Sequence, residues 1–484
     1  MTDRVLELLR TRPELAEPAA FPFGFDVHRA YHGEAVHLAS GASLEPIAGD
    51  DSGGTYFLSG GTAVLHASPD GAAALFADSV GEALEILVRL PRWCETPATG
   101  PDEEELRAAI RAADQEAREE FVPDLDARRA ALIEGLGLPE RPLVELLARS
   151  ESATRCTEPD HVLLNSRDLY AYRLDASFRQ PLRDIVLGPG REALERLRSG
   201  DPGAREEAAG DPALRAGVLR AARYDRRDGD LPLLRFLLER EAAEWSEWYE
   251  ERRLAAALVA AHGLDEDVPL LRAVTTGQIT DTAGAVEWAA RAVAAESEFT
   301  WIELAHRQGR IEHARVALIR LLDATGPDPD PDRLRKLRKA LERLGDHAQA
   351  ARAQIGFLSL QDTARDRASA AYVLARLERR KGDLDAAARA LERARAAVGA
   401  GGTPPDGTVG EWHRRGLGRL ITEQHLELVL AAVEAGDTDL ARTTMAHGRL
   451  LLKVIAKGWA KELSPLSTRA KWAVAGLRAS GGGP

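Results

Sequence analysis

Beyond residue 300, a glycine followed five residues later by an alanine occurs four times, and this pattern constrains the fold more than any other feature. The glycines are Gly309, Gly345, Gly382 and Gly436, at intervals of 36, 37 and 54 residues. A period of about 35 residues is typical of stacked helical hairpins, each too small to bury its apolar face alone. Glycine ends one helix in the left-handed conformation, and alanine lets the next helix pack closely. The pattern therefore predicts a mainly α-helical solenoid.

Large residues stand eight positions before each glycine, where they can pack inside a hairpin. They are Trp301, Leu337, Leu374 and Leu428. Together with the glycine-to-alanine spacing, they resemble tetratricopeptide repeats. The resemblance implies a TPR-like array over residues 301–478. The interval of 54 residues is one period plus an insertion near residues 399–412, which is rich in glycine and proline and is predicted to be a loop.

A second repeat precedes the first. The sequence Asp-Leu-Pro-Leu-Leu-Arg at residues 230–235 returns as Asp-Val-Pro-Leu-Leu-Arg at residues 267–272, 37 residues later. An acid before a proline-led leucine pair is typical of a helix start, because proline is tolerated in the first turn. These two units resemble HEAT-type repeats. We therefore predict HEAT-like helices over residues 191–300.

The composition favours a chain that folds around its own cores. Of the 484 residues 44% are hydrophobic, yet no stretch approaches the roughly 18 apolar residues of a membrane span. The amino terminus has charges within its apolar part and no cleavage signal, which argues against export. The two cysteines, Cys94 and Cys156, are too few for a disulfide framework. These features predict a cytoplasmic protein without a membrane partner.

The net charge of −13 is unevenly distributed. Residues 1–100 hold 14 acidic and 6 basic residues, a net charge of −8, whereas the remaining residues together carry only −5. An acidic region repels nucleic acid and attracts basic partners over the Debye length of about 8 Å. The distribution therefore favours a basic protein as the partner and disfavours nucleic acid.

Residues 1–98 are predicted to form a small acidic α+β domain. Two β-rich runs at residues 55–58 and 62–66 are separated by Ser-Gly-Gly, which is a hairpin signal. The sequence Ser-Pro-Asp-Gly at residues 68–71 predicts a turn, since proline suits its second position. The periodicity here is therefore that of strands.

A helix is predicted to end this segment. Ser79 and Glu82 have the spacing of a capping box, and the helix stops before Pro91. The apolar residues of one helix face are Val80, Leu84, Leu87 and Val88. A helix with one apolar face is expected to pack on the predicted strands.

The same segment resembles the SUKH superfamily in the order of its motifs. These are an Ile-Ala-x-Asp strand, a glycine-led hairpin, an acidic turn and a final helix, at residues 44–50, 52–66, 68–71 and 79–93. Members of that superfamily are chiefly binding proteins, and many are bacterial immunity proteins that neutralise toxin domains. The resemblance implies partner binding and carries over no catalytic residue.

Residues 99–190 are predicted to be a helical connector with a short strand-like segment. Residues 102–149 carry apolar side chains at helical spacing. The runs at residues 161–164 and 169–174 have the composition of strands. The sequence leaves open whether they extend the sheet of the first domain or form a separate hairpin.

The sequence Asp-Ser-Gly-Gly at residues 51–54 imitates the active-site serine segment of trypsin-like proteases. That chemistry needs a histidine base and a buried acid within hydrogen-bond distance. Only His28, His32 and His37 precede the serine, and the β content is too small for a double barrel. We interpret the glycines as part of a turn and predict no catalytic residue. A hydrolase without a recognisable motif is the third hypothesis, behind two binding functions.

The sequence also lacks motifs for metals and nucleotides. It contains no Cys-x-x-Cys, no His-Glu-x-x-His and no phosphate-binding Gly-x-x-x-x-Gly-Lys. Cys156 and His161 form a pair without further ligands nearby in the sequence. We therefore predict no metal and no cofactor.

Six basic residues between positions 333 and 343 form the densest basic run of the chain. The leucines at 334, 337, 341 and 344 share one face of the same predicted helix, so the bases occupy its solvent side. One interpretation is a contact with RNA or phosphate. A solvated face is favoured, because no aromatic residues for base stacking interleave with the bases.

Trp245, Trp248 and Tyr249 form the densest aromatic group and share one helix face. Facing inward they would be core between repeats, which is the favoured interpretation. Facing outward they would anchor a partner. All three are kept as candidate partner-binding residues.

The leading hypothesis is a protein-binding protein, and in its most specific form an immunity-type protein that neutralises a basic toxin or effector. The candidate binding residues of the first domain are the acids Asp50, Asp51, Asp70 and Asp78. The alternative is an α-solenoid scaffold or regulator of a protein complex. The sequence does not fix the oligomeric state.

Overall fold

The structure, a computed structural model, describes residues 3–90, 103–243, 249–292, 296–399 and 412–480. It is 68% helical, with a small antiparallel sheet region near the amino terminus. This confirms the predicted fold class, predominantly α with an α+β amino-terminal part. The chain divides into two compact units, which we call the first unit (residues 1–167 and 171–317) and the second unit (residues 168–170 and 318–484). The finer division into four segments stays a prediction.

The first unit begins with two short helices, followed by five strands and a third helix. Their bounds are α1 Arg4–Thr11, α2 Pro13–Ala20, β1 Val36–Leu38, β2 Leu44–Gly49, β3 Thr55–Ser59, β4 Ala63–Ala67, β5 Ala73–Ala77 and α3 Val80–Arg89. Strands β2 to β5 form an antiparallel sheet in sequential order. The predicted hairpin is β3–β4, in which Ser59 pairs with Ala63 across a turn with positive φ at Gly60 and Gly61.

Both faces of this sheet are buried, because side chains alternate along each strand. Tyr56, Val64 and Phe76 point into one core, which α1, α2 and α3 help to cover. Their neighbours Phe57 and Leu65 point into a second core on the opposite face. A four-stranded sheet buried on both faces requires partners from outside the first hundred residues.

Those partners follow in the chain. They are α4 Glu103–Glu120, α5 Leu125–Leu136, α6 Leu143–Arg155 and β6 Leu163–Asn165. The first core continues through the three helices as far as Leu147. Strand β6 pairs antiparallel with β1, and Leu163 and Tyr172 pack in the second core. Neither alternative left open by the sequence describes this segment fully, because β6 pairs with β1 in a separate two-stranded sheet and does not extend the four-stranded one. An isolated bridge also joins Leu164 to Ala171.

The capping box at the start of α3 forms in part. The side chain of Ser79 accepts a hydrogen bond from the backbone N–H of Glu82 at 3.2 Å. The carboxylate of Glu82 accepts from the backbone N–H of Asp78, at 3.0 Å, and not from that of Ser79. Glu82 also pairs with Arg149 of α6, which ties the helix start to its neighbour.

The rest of the first unit is helical. Its elements are α7 Leu182–Arg198, α8 Pro202–Gly210, α9 Pro212–Tyr224, α10 Leu231–Ala243, α11 Tyr249–Ala260, α12 Val268–Val274, α13 Thr282–Ala292, α14 Glu298–Arg307 and α15 Ile311–Asp323, the last of which contains the division between the units. The predicted helix starts at residues 230 and 267 are confirmed by α10 and α12.

The 37-residue repeat places an ion pair between an arginine and a buried aspartate at equivalent positions. Nε and Nη2 of Arg198 donate to the two carboxylate oxygens of Asp230, at 2.9 and 2.6 Å. Arg235 and Asp267 make the same paired contact at 2.6 and 3.0 Å. Each arginine lies 32 residues before its aspartate, which is only 3% exposed. Both copies of the repeat therefore have an ion pair that joins consecutive helix pairs, in addition to the sequence that starts a helix.

The second unit consists of helices packed largely against their neighbours in sequence. They are α16 Pro331–Arg343, α17 His347–Ser359, α18 Ala364–Lys381, α19 Leu384–Ala397, α20 Gly416–Glu434, α21 Thr438–Val454, α22 Lys457–Glu462 and α23 Ser464–Ser480. The predicted insertion near residues 399–412 lies almost entirely outside the described residues. Among the described residues, no helix combines the length and the apolar content needed to cross a membrane.

The glycine-to-alanine pattern behaves as predicted. The four glycines have φ between +73° and +93°, and each follows the end of a helix. The alanines five residues later, at positions 314, 350, 387 and 441, are at most 1% exposed. The large residues eight positions before the glycines are buried as well. In three copies the next residue is an aspartate that caps the following helix, so only two or three residues separate the end of one helix from the start of the next.

Replacing Gly382 by alanine is expected to lower the free energy of unfolding by about 1–2 kcal/mol. Gly382 has φ of +93° and open space where a Cβ atom would lie, so the cost comes from the backbone conformation and not from a clash. Urea denaturation followed by circular dichroism measures it. Gly476, inside α23 and equally unobstructed, is the control, and its replacement by alanine should stabilise by about 0.5–1 kcal/mol. Equal effects at the two positions would contradict the assignment.

Candidate partner-binding cleft

A cleft of about 720 Å³ opens beside the sheet of the first unit. Its wall is built from the loop after β2, strands β3 to β5, helix α6 and the segment at residues 173–178. The polar and charged side chains that line it are Asp50, Ser52, Tyr56, His66, Ser68, Asp70, Ser150, Glu151, Thr154, Arg173, Asp175 and Ser177. Four of them are carboxylates, against one guanidinium and the imidazole of His66, so the charged side chains of the lining are mainly acidic.

Asp50 organises one side of the cleft. Its Oδ1 accepts hydrogen bonds from the backbone N–H groups of Ser52 and Gly54, at 2.9 and 2.7 Å, and from the hydroxyl of Ser52 at 2.7 Å. Its Oδ2 lies 2.8 Å from Nε2 of His66. Burial by itself raises the pKa of Asp50, but the bonds from His66, Ser52 and Gly54 outweigh it and hold the pKa well below its usual range. Asp50 is therefore a fixed negative charge.

Gly54 is required at this position by space. A Cβ atom there would lie 2.3 Å from the carboxylate of Asp50 and 2.6 Å from the imidazole of His66. The glycines in the protease-like sequence thus let the backbone approach a carboxylate, in keeping with their interpretation as a turn. The hydroxyl of Ser52 donates to Asp50, whereas a protease serine donates to a histidine. The local geometry is that of a capped loop.

The other side of the cleft is organised by Arg173. Its Nη2 donates to the carboxylate and to the backbone carbonyl of Asp70, at 3.0 and 2.7 Å. Its backbone N–H donates to the carbonyl of Gly71, so the segment is bound to the β4–β5 turn. The hydroxyl of Ser68, and then Arg173, lower the pKa of Asp70. Hydrogen bonds from Ser177 do the same for the pKa of Asp175.

A second polar cluster lies among the same elements but outside the cleft wall. The imidazole of His32 contacts Oγ1 of Thr55 through Nδ1, at 3.0 Å, and the hydroxyl of Tyr172 through Nε2, at 2.8 Å. The hydroxyl of Tyr172 donates to Glu34. Burial lowers the pKa of His32, and burial together with Glu34 raises the pKa of Tyr172. The cluster joins β3 to the segment that follows β6.

The structure brings two of the predicted acids into one cleft, because both Asp50 and Asp70 line it. Asp51 and Asp78 are not part of the lining. The carboxylate of Asp51 lies 3.5 Å from Arg29, and that of Asp78 lies 3.9 Å from Arg149. Their side chains are 61% and 73% exposed.

The aromatic candidates fall at the edge of the described chain. Trp245 and Trp248 lie outside the described residues, and of Tyr249 only the backbone, at the start of α11, is described. Their proposed role stays a prediction. The described residues hold no group of three or more His, Cys, Asp or Glu side chains arranged to bind a metal ion.

Sequence reasoning missed Glu151 of α6 and the residues at 173–178. No local signal marks them, since they reach the cleft from positions about a hundred residues away in the chain. Glu151 is the only lining carboxylate on a helix, and its side chain is 20% exposed. The cleft as a whole is suited to accept N–H donors from a cationic group.

Comparison with known proteins gives no assignment. No protein-family model, curated protein or solved structure matches the chain.

Proposed function

We propose that this chain is a protein-binding protein that holds a basic side chain of its partner in the cleft around Asp50 and Asp70. The observation that carries the proposal is the lining, in which four carboxylates face one arginine. Charge-assisted hydrogen bonds from lysine or arginine to carboxylates are about twice as strong as neutral ones. The cleft can therefore fix the orientation of a cationic partner as well as attract it.

The charge of the surrounding chain supports the same partner. Residues 1–317 hold 57 acidic and 36 basic residues, a net charge of −21. A field of that sign accelerates the encounter with a basic protein and slows the encounter with nucleic acid. The resemblance of residues 44–93 to SUKH proteins supports a specific form, in which a bacterial cytoplasmic protein neutralises a basic toxin.

Removing two carboxylates from the cleft is expected to weaken the binding of a basic peptide by about tenfold. The variant is Asp70→Asn with Glu151→Gln, and the probe is a fluorescein-labelled peptide of repeating Gly-Arg units added to the full chain. Fluorescence anisotropy at low salt measures the affinity. Both substitutions exchange a carboxylate for an amide of nearly the same shape, so a change in packing contributes little to the loss.

The matched control is Asp51→Asn with Asp78→Asn. It removes two charges from the same region but from outside the cleft, and should change the affinity by less than about twofold, because neither carboxylate lines the cleft. Equal losses in the two double variants would show that the peptide senses only net charge, and would overturn the proposed cleft.

The second candidate function, a scaffold or regulator of a protein complex, is favoured by the helix pairs. Four glycine-to-alanine turns and two pairs between an arginine and a buried aspartate join consecutive helices. Arrays of this kind usually present an extended surface to a partner. Once a partner is identified, its capture by the cleft double variant with undiminished affinity would favour this second function.

A further inference from the structure

The two parts of the chain carry opposite charge. Residues 318–484 hold 28 basic and 20 acidic residues, a net charge of +8, although the whole chain carries −13. Much of the excess lies on two helices of the second unit. Helices α16 and α18 each contain six basic and two acidic residues.

The basic run on α16 has the orientation that the sequence predicts. Leu334, Leu337 and Leu341 are at most 2% exposed, so the opposite side of the helix carries the bases. Arg338 is an exception, because its side chain is not solvated as the sequence predicts for this face. The side chain of Arg338 is only 11% exposed.

Arg338 belongs to a cluster that spans the two helices. Three guanidinium groups converge on the single carboxylate of Glu342. Nη1 of Arg338 lies 2.9 Å from Oε2, Nη2 of Arg376 lies 2.8 and 3.0 Å from the two oxygens, and Nη1 of Arg380 lies 3.0 Å from Oε1. We call Arg338, Arg376 and Arg380 the arginine cluster. With Glu342 it carries a local net charge of +2.

The guanidinium groups of the arginine cluster are partly buried, and not all of their N–H donors have a hydrogen-bond acceptor in the described part of the chain. Nε of Arg376 is buried and has no hydrogen-bond partner among the described residues. Burial lowers the pKa of Arg338, Glu342 raises it, and the positive charges of Arg376 and Arg335 lower it again, so that it lies below its ordinary value. A further anion would satisfy donors and relieve repulsion between like charges.

We propose that the arginine cluster on α16 and α18 binds an acidic protein segment, whose carboxylates join Glu342 among the three guanidinium groups. Guanidinium groups bind carboxylates in a paired, planar geometry. Arg376 contacts both oxygens of Glu342 through Nη2 alone, so the paired edge of its guanidinium group is not used by Glu342. This surface shares no residue with the acidic cleft and takes a ligand of the opposite charge.

An acidic protein segment fits better than nucleic acid. The side chains of Arg338 and Arg376 are largely shielded, at 11% and 27% exposed, whereas Arg380 is 44% exposed. A flexible carboxylate side chain can approach such a site through Arg380. The aromatic rings beside it are occupied, since Phe357 lies under Arg335 and Tyr372 packs against the core. Stacking of single-stranded bases needs exposed rings.

The test uses the full chain and a fluorescein-labelled peptide of repeating Gly-Glu units. Arg376→Gln with Arg380→Gln should weaken peptide binding by about tenfold at low salt. The control is Arg389→Gln with Arg393→Gln, which removes two charges from exposed positions of the adjacent α19 and should change the affinity by less than about twofold.

A variant that is expected to bind the peptide more tightly distinguishes loss of the binding site from misfolding of the protein. Glu342→Gln removes the carboxylate that competes for the cluster, so the peptide should bind about threefold more tightly or better. A loss in the arginine variant together with this gain supports the proposal, and unchanged affinity in either variant overturns it. Tighter binding of a single-stranded RNA of similar length, or self-association by light scattering that the arginine variant abolishes, would assign the surface to another occupant and also overturn it.

Discussion

Replacing Arg215 by methionine is expected to lower the free energy of unfolding by about 3–5 kcal/mol. The side chains of Arg215 and Glu241 are 0% and 1% exposed, and they meet through a hydrogen bond of 2.7 Å between α9 and α10. Nη1 of Arg215 also donates to the carbonyls of Ala208 and Ala209 at the end of α8. Methionine would leave a buried carboxylate and two carbonyls without their donor. Urea denaturation of the full chain, followed by circular dichroism, measures the loss.

Two further variants test the cause. Replacing both Arg215 and Glu241 by methionine also removes the buried carboxylate that has lost its bond to Arg215, and should recover a large part of the lost stability, as found for buried pairs exchanged for apolar side chains. Arg291→Met breaks an exposed pair with Glu287, whose atoms lie 3.5 Å apart, and should cost less than about 0.5 kcal/mol. A double variant no more stable than Arg215→Met would contradict the argument from charge burial.

The parts of the fold that the sequence predicts are those set by local chemistry. A glycine that must take positive φ, such as Gly345, and the aspartate that follows it act within a single turn. The β3–β4 hairpin is likewise specified by two strands and the glycines between them. Such signals occupy a few consecutive residues, and pattern reasoning can read them directly.

Pairings between distant residues escaped prediction. Strand β6 has only three residues and no alternation, and it pairs with β1 across more than a hundred residues. The burial of both sheet faces is visible only when α6 and Tyr172 are in place. Long-range pairs depend on the whole topology, which no window of sequence contains.

The candidate site likewise contains some residues that the sequence predicted and others that it did not. Of the four acids that the charge of residues 1–98 and the SUKH resemblance indicated as partner-binding candidates, Asp50 and Asp70 line the cleft, whereas Asp51 and Asp78 do not. Glu151 and Arg173, which complete the cleft, come from elements with no recognisable motif. The arginine–aspartate pairs were within reach, since Arg198 and Arg235 stand 37 residues apart, as do Asp230 and Asp267. Comparing the repeats for charged positions, and not only for leucines, predicts them.

Lowering the pH is expected to destabilise the second unit through His425. This residue of α20 is 2% exposed, and its Nδ1 donates to the carbonyl of Ile421 at 2.8 Å. Burial, with the positive charge of Arg395 and the nearby His447, lowers the pKa of His425 from 6.5 to about 4. The hydrogen bond to Ile421 and, to a smaller extent, the carboxylate of Glu392 raise the pKa but do not offset the burial.

The direction of the pH dependence follows from the number of protons that the folded and unfolded states bind. Between pH 6.5 and 4 the unfolded chain binds a proton at His425 that the folded chain excludes, so stability falls as the pH falls. The contribution is complete above the unfolded pKa and is lost by about pH 4, which amounts to roughly 3 kcal/mol. Urea midpoints measured across this range, with circular dichroism as the signal, give the dependence.

The variant His425→Leu isolates the effect, because leucine keeps the volume and removes the titration. At neutral pH it should cost no more than about 1.5 kcal/mol for the hydrogen bond to Ile421. Between pH 6.5 and 4 its stability should decline about 3 kcal/mol less than that of the unmodified chain. His447 is a half-buried neighbour, and burial lowers its pKa as well. The variant His447→Leu should therefore reduce the dependence of stability on pH less than His425→Leu does. If the free energy of unfolding changed with pH equally in His425→Leu and in the unmodified chain, the responsible proton would bind at another residue.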